Sequence, residues 1–267
     1  MKIAAPTIAR RALPGQFVHI LTRSCASNDP LLRRAFSIMA AAGETLEILY
    51  RIEGKGTLLM SLWRAGQEID LLGPLGMPFA TGQQRAILVG GGVGIPPLVM
   101  LASSRYVDTG NNGQDSHLDS KSTLALLGAR STRELICVED FSRCRVPVEV
   151  ATDDGSSGYH GYVTDLLVKH LEQTTGEAVL PTVFACGPLP MLRAVAAICA
   201  RRQVPCQVSL EESMPCGIGV CNGCVVPVTG ARDDYGRYRR ICMEGPVLWA
   251  HEVDWSHYPY GTGCDKS

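Results

Sequence analysis

Residues 211 to 228 read EESMPCGIGVCNGCVVPV, which places Cys216, Cys221 and Cys224 within nine positions, and Cys242 follows in RRICMEGP. If these four sulfurs share a ligand, two separated segments must converge, so the fold is constrained before any strand is assigned. The spacing C-x4-C-x2-C with a distant fourth cysteine is the plant-type [2Fe–2S] arrangement, whereas a zinc ribbon carries paired C-x2-C knuckles. Gly217, Gly219 and Gly223 let such a loop curl closely, so that backbone N–H groups can point at the sulfur atoms and moderate their negative charge. A four-thiolate zinc site is the alternative reading, and two disulfides a further one.

Redox compartment bears on that choice. No apolar stretch is long enough to cross a bilayer, and the opening MKIAAPTIARRALPGQF lacks the continuous apolar core of a secretory signal, so the cytoplasm is expected. A reducing compartment disfavours structural disulfides and leaves metal binding or redox chemistry for a tight cluster among the 11 cysteines. Cys137, Cys144, Cys199 and Cys206 are scattered singly and read as small buried apolar residues. The net charge is −1 and the basic residues form no run, so nothing points to nucleic acid.

At 267 residues the chain is long for one domain, and its character changes near residue 82. Before that point PGQFVHILT, AFSIMAAA, TLEILYRI and QEIDLLGPLG are short β-rich runs separated by Gly, Pro and Asn, as in a small antiparallel barrel. After it, apolar strands (RAILVGG, LALLGAR, PVEVATDD, TVFACGP) alternate with helices beginning near Pro97, after Thr164 and near Leu189. Alternation of this kind implies a parallel sheet. The polar stretch Tyr106 to Ser122 reads as an exposed loop. The expected fold class is therefore β plus α/β: an antiparallel barrel at 1–82, a parallel-sheet nucleotide-binding domain at 83–207, and a small C-terminal lobe at 208–267 organised around whatever its sulfurs bind.

Four shorter signals suggest ligands. AILVGGGVGIPPLVMLA runs an apolar strand into Gly90, Gly91, Gly92 and Gly94 before a helix, which can bring bare amides to a phosphate. Equally, it can be a tight turn with no ligand, because Ile95 stands where G-x-G-x-x-G needs its third glycine. FACGPLPML ends another strand at Cys186 and Gly187, and in an open parallel sheet ligands lie beyond the strand carboxyl ends. A buried inert thiol is the plainer account of Cys186 taken alone. In LLRRAFSI a strand offers Arg34 and Phe36 on one side and Ala35 and Ser37 on the other. In YRIEGKGT, Gly54, Gly56 and Thr57 suggest a helix-opening turn with an N-cap hydroxyl and free amides.

Taken together, the chain resembles the electron-transfer subunits of bacterial NAD-dependent dihydroorotate dehydrogenases, a branch of the ferredoxin-reductase-like flavoproteins. The resemblance runs from PGQF at Pro14 to GPVLWAHEVDW at Trp255, and VPCQVSLEESMPCGIGVCNGCVVPV with RYRRICMEGPV is its most specific part. It implies a barrel that binds FAD, a domain that docks NAD, and a lobe holding a [2Fe–2S] cluster on Cys216, Cys221, Cys224 and Cys242. By the same resemblance Arg34 addresses the FAD pyrophosphate, Ser37 the flavin ring, with Ala35 and Phe36 beside them, and Gly54, Gly56 and Thr57 lie near the phosphates. Gly91, Gly92 and Gly94 line the nucleotide turn, while Cys186 and Gly187 face the nicotinamide.

A nicotinamide moves two electrons as hydride, a cluster moves one, and a flavin can do either. The resemblance thus implies transfer from the FMN of a separate dihydroorotate dehydrogenase catalytic subunit, in a heterotetramer serving pyrimidine biosynthesis, through the cluster and FAD to NAD+. The chain is not expected to oxidise dihydroorotate alone. Similar subunits serve sulfide dehydrogenases and ferredoxin:NADP oxidoreductases, and a zinc-stabilised nucleotide-binding regulator is the non-enzyme reading. Only thirteen residues precede Pro14, where relatives usually carry a further strand or two, so a short barrel is expected. Ala35 stands where proline is common. The aromatic residues of PVLWAHEVDWSHYPY suit either a partner interface or the lobe's own core. Arg130 and Arg133 can grip a 2′-phosphate or simply decorate a helix start.

Overall fold

The computed structural model of the chain describes residues 1–24, 27–82, 85–103, 122–174, 180–230 and 236–258. The loop expected from Tyr106 to Ser122 lies, apart from Ser122, outside the described residues.

The N-terminal part is antiparallel. Strands β1 (Lys2–Ala4), β2 (Phe17–Ile20), β3 (Arg34–Ser37), β4 (Ala40–Ala42), β5 (Thr45–Glu47) and β6 (Leu71–Leu75) are joined with two short helices, α1 (Pro6–Ala9) and α2 (Lys55–Ser61). They form two three-stranded sheets, ordered β1-β5-β4 and β3-β2-β6. The short lead before Pro14 supplies β1, which pairs antiparallel to β5 as an edge of one sheet. Val18 and Ile20 pack with Ile3, Ile38, Leu46 and Ile48 in the barrel core, each burial stabilising by about 1.5–3 kcal/mol. Met100 belongs to the same core although it comes from the next domain, and it joins the two.

The second part alternates strand and helix: β7 (Ala86–Gly91), α3 (Ile95–Ser103), β8 (Thr123–Ala129), α4 (Val138–Arg143), β9 (Val148–Thr152), β10 (Tyr159–His160), α5 (Val163–Gln173), β11 (Thr182–Cys186), α6 (Leu189–Arg202) and β12 (Cys206–Ser209). Its strands pair in parallel. Every side chain of β7 is buried, because the two faces of the sheet are covered by different helices. Ile87 and Val89 join the core under α5 and α6, while Ala86 and Leu88 join the one under α3 and α4. A period of two thus divides one apolar run between two cores. Helix α5 starts where the Asp165 carboxylate accepts the Tyr162 N–H at 3.0 Å, which satisfies an amide the helix itself cannot.

The C-terminal part contains the hairpin β13 (Val225–Pro227) and β14 (Tyr238–Arg240), the single turn α7 (Ile241–Glu244) and β15 (Val247–Trp249). β15 does not stay in the lobe. It pairs antiparallel with β12, Gln207 opposite Trp249 and Ser209 opposite Val247, and so becomes the edge of a seven-stranded sheet ordered β10-β9-β8-β7-β11-β12-β15. β12 itself continues to Ser209, across the boundary expected at residue 207. The buried Gln207 amide makes two bonds to the Ala80 main chain, donating to its carbonyl at 2.7 Å and accepting from its N–H at 2.8 Å. The three parts therefore share cores, a sheet and buried hydrogen bonds.

Candidate redox site

A cleft of about 400 Å³ opens where the three parts meet. Arg34, Ala35, Phe36 and Ser37 of β3 form one wall and Gly54, Gly56 and Thr57 another, with Phe17 and Val93 between; Ser209 to Glu212 and Met214 close the side toward the lobe. Arg34 is anchored through Nη1 to the carbonyls of Leu32 at 2.8 Å and Arg33 at 3.1 Å, so its charge is held at the rim. Phe36 stacks edge-on against Tyr50 at 5.9 Å, making part of the wall flat and apolar.

One local expectation is corrected. Thr57 is not the N-cap of α2; Gly54 is, and Thr57 stands third in the helix. Its hydroxyl turns back to accept the N–H groups of Glu53 at 3.0 Å and Gly54 at 3.2 Å, so it organises the turn from within. Gly56 admits close packing: a Cβ there would lie 3.0 Å from Thr22 Oγ1 and 3.4 Å from Arg34 Cγ.

The glycine turn after β7 and the turn after β11 meet backbone to backbone. A Cβ on Gly94 would lie 2.5 Å from the Gly187 nitrogen and 2.6 Å from the Cys186 carbonyl carbon, so no larger residue fits. Parallel pairing of Cys186 with Gly90 sets this approach, and it puts both turns at the carboxyl ends of adjacent strands. Cys186 itself is 1% exposed, in the core under α3. Burial and the nearby Glu211 raise its thiol far above the ordinary range, while Ser209 opposes them, so the sulfur is a neutral core group and does not line the cleft.

The four cysteines of the lobe divide into two pairs. Around Cys216 the amides of Cys221 and Ile218, with the Cys221 side chain and the Val220 amide, hold the thiol down at about 6. Cys221 Sγ accepts the Gly223 N–H at 3.4 Å. Cys224 Sγ accepts the Cys242 N–H at 3.4 Å. The Cys242 thiol is pushed up to about 12 by burial, by the Cys224 sulfur beside it and by Cys216, against the Gly219 amide. Two thiol pairs with amides aimed at sulfur suit two irons held apart by bridging sulfides. Four thiolates in the C-x4-C-x2-C spacing with a distant fourth, paired in this way, fit a [2Fe–2S] cluster. The pairs also differ in setting: Cys221 is exposed and Cys216 half-buried, whereas Cys224 and Cys242 sit in the same apolar core as Phe17.

Two residues at this junction carry no sequence signal. Glu211 lines the cleft and remains exposed to solvent, and desolvation by the surrounding atoms, aided by Glu53 and opposed by Arg51, raises its carboxyl. His19 is fully buried on β2; burial lowers its pKa, with Arg33 and Arg34 adding to the effect and the main chains of Met214 and Cys216 opposing it. Neither lies in a motif. The aromatic residues near the C-terminus mainly face inward: Tyr258 is buried and donates to Glu212 Oε1 at 2.6 Å, and Trp255 donates to the Ala250 carbonyl at 2.8 Å. Of the scattered cysteines, Cys199 and Cys206 are buried as expected, but Cys137 and Cys144 are half-exposed.

Comparison with known proteins agrees with this geometry. Residues 211–254 match the iron-sulfur cluster binding domain of dihydroorotate dehydrogenase B, and residues 88–197 match the oxidoreductase NAD-binding domain. The dihydroorotate dehydrogenase B (NAD(+)) electron transfer subunit of Desulforamulus reducens is 36% identical over 262 residues, 96% of this chain and 92% of that protein. The chain belongs to that family of electron transfer subunits. The subunit of the same name from Geobacillus kaustophilus is 40% identical over 250 residues, covering 90% of this chain and 86% of its own length. Among solved structures, the NADH-dependent reduced ferredoxin-NADP oxidoreductase superposes with a TM-score of 0.76 at 30% identity, over 96% of this chain and 85% of that one. The ferredoxin-NADP+ reductase of Plasmodium falciparum shares the fold at a TM-score of 0.56 and 15% identity, over 75% of this chain and 83% of that one. No described helix is long and apolar enough to cross a membrane.

Proposed function

We infer that this chain carries electrons between a dihydroorotate-oxidising catalytic subunit, which contains FMN, and NAD+. It uses a [2Fe–2S] cluster on Cys216, Cys221, Cys224 and Cys242 and FAD in the cleft. One observation carries the reading: the inner pair, Cys224 and Cys242, shares an apolar core with Phe17, and Phe17 also lines the cleft. A nicotinamide exchanges hydride, the cluster single electrons and the flavin both, so together they convert between two-electron and one-electron transfer.

The protein's own part is binding, orientation and exclusion of water. Arg34 supplies positive charge to a diphosphate at the rim, Ser37 a hydroxyl to the flavin ring, and Ala35 and Phe36 the wall between them. The turn of Gly54, Gly56 and Thr57 brings main chain close to the phosphates. Gly91, Gly92 and Gly94 shape the nicotinamide nucleotide turn, with Cys186 and Gly187 as its floor. Ile218, Val220 and Met243 are exposed apolar side chains beside the cluster ligands, at 50%, 75% and 46%, and offer the catalytic subunit a docking face. Every described cysteine is a free thiol, which suits the cytoplasm.

The test is to co-purify the chain with its companion and assay dihydroorotate-dependent reduction of NAD+, together with iron, sulfide and flavin content. Equal iron and sulfide, bound FAD and a dihydroorotate-oxidising companion are expected. Zinc in place of iron, or a companion that oxidises a different donor, overturns the reading; the second result favours the sulfide dehydrogenase or ferredoxin:NADP alternative.

A further inference from the structure

β2 lies between two cores. Val18 and Ile20 point into the barrel, and Phe17 and His19 point the other way, toward the cluster lobe. For Phe17 an apolar setting is ordinary. His19 is 0% exposed in the same setting, and neither ring nitrogen has a hydrogen-bond partner of normal geometry. An aliphatic side chain would fill that volume without burying a polar group, so an imidazole here calls for a use.

The ring faces the loop that carries the first cluster ligand. A Cβ on Gly217 would lie 2.6 Å from His19 Nδ1 and 2.9 Å from Cε1, so the loop backbone rides directly on the imidazole. The main chains of Met214 and Cys216 lie close enough to the ring to oppose the lowering of its pKa by burial, though neither makes a hydrogen bond of normal geometry to it. The Phe17 ring meets it edge-on, at 6.4 Å and 85°, and Phe17 is a wall of the cleft. One side chain therefore lies between a wall of the cleft and the backbone that follows Cys216.

We propose that His19 is a positioning residue: its ring N–H, donated to a main-chain carbonyl of the Met214–Cys216 segment, holds the Cys216 arm of the cluster loop at a set distance from the flavin sheet. The four thiolates complete the ligand set, so the ring acts through the backbone of Cys216 and not on iron. This deepens the [2Fe–2S] reading above and rests on it.

The test uses the assembled complex, purified anaerobically with its flavin and cluster. Wild type is compared with His19→Leu, His19→Asn and His19→Gln by the paramagnetic spectrum of the dithionite-reduced cluster, by visible circular dichroism and by the rate of iron release to a chelator. His19→Leu is expected to change the spectrum and to lose iron about 10-fold faster at unchanged FAD content, the scale seen when partners that orient a metal ligand are removed. Recovery in His19→Asn, which mimics Nδ1–H, or in His19→Gln, which mimics Nε2–H, identifies the donor. A flavin-loaded His19→Leu with the wild-type spectrum and iron-release rate overturns the proposal. If His19→Leu does not accumulate, the two amides decide: recovery in one but not the other supports a directed bond, and identical behaviour in both overturns it. Absence of a reduced-cluster signal in wild type would instead sink the cluster reading, and the role of His19 with it.

Discussion

Strand β7 is buried at all six positions and hydrogen-bonded on both edges, whereas the chain from Glu211 to Cys224 forms no strand or helix and leaves Val220 75% exposed. The sheet is ordered by its ladder and by apolar burial, terms that act on any chain of that pattern. In the cluster loop, order comes from amides turned toward sulfur and from glycines that permit the turns, so it depends on what the sulfurs hold. The contrast separates a scaffold ordered by its ladder and core from a loop whose shape belongs to its metal centre, with His19 and Phe17 at the junction.

The largest test of that contrast is loss of a ligand. Cys224→Ser is expected to abolish iron and sulfide binding and electron transfer from dihydroorotate, while NADH oxidation by ferricyanide, which needs only flavin and nicotinamide, continues. If both activities vanish together, scaffold and loop are not separable. Next comes the scaffold itself: Gly94→Ala drives a methyl to within 2.5 Å of the Gly187 nitrogen. Overpacking there should cost about 1–3 kcal/mol, read as a lower melting temperature and a raised KM for NADH with iron content intact.

Smaller effects sharpen the division. On the proposed pairing of Arg34 with the FAD diphosphate, Arg34→Ala removes a charge-assisted bond worth about 1.5–3 kcal/mol, so FAD should dissociate about ten- to a hundredfold more readily, measured by the fluorescence of released flavin. Val220→Asp places a charge on the exposed apolar face and should weaken assembly with the catalytic subunit by about 1–2 kcal/mol in a titration of the two subunits, leaving ferricyanide reduction unchanged. The smallest concerns Glu211. Its raised pKa means that the folded state holds the proton more tightly than the unfolded chain, so its contribution to stability is fully present below the unfolded value and is lost as pH rises through the folded value. Glu211→Gln should flatten that decline, seen by comparing melting temperatures of the two proteins across the acid-to-neutral range. The effect is limited because the carboxyl opens onto the cleft.

Legibility followed the distance over which each feature is encoded. The apolar runs AILVGG and TVFAC announced strands because alternation and length are local, and the structure has strands at both. Thr57 was misplaced as an N-cap since helix starts are local choices among close competitors, and Gly54 took the position. The C-terminal aromatic residues left interface and core undecided, because the same types serve either; Tyr258 and Trp255 turned inward once Glu212 and the Ala250 carbonyl were within reach. Membership of β15 in the nucleotide sheet carries no local signal, because three residues of a lobe strand say nothing about which distant edge they pair with.

By itself the sequence determined the menu: an antiparallel part, an alternating strand–helix part, and four thiols whose spacing asks for a binuclear cluster. Each of these is set by residues a few positions apart, and local sterics and periodicity suffice to read them. Only the tertiary structure decided that the sulfurs split into an outer pair, Cys221 exposed and Cys216 half-buried, and a buried pair, that Phe17 belongs to both the buried pair's core and the cleft, and that His19 and Glu211 stand at the seam. Those facts arise where strands far apart in the chain become neighbours, and burial, not order along the chain, chooses which side chains meet.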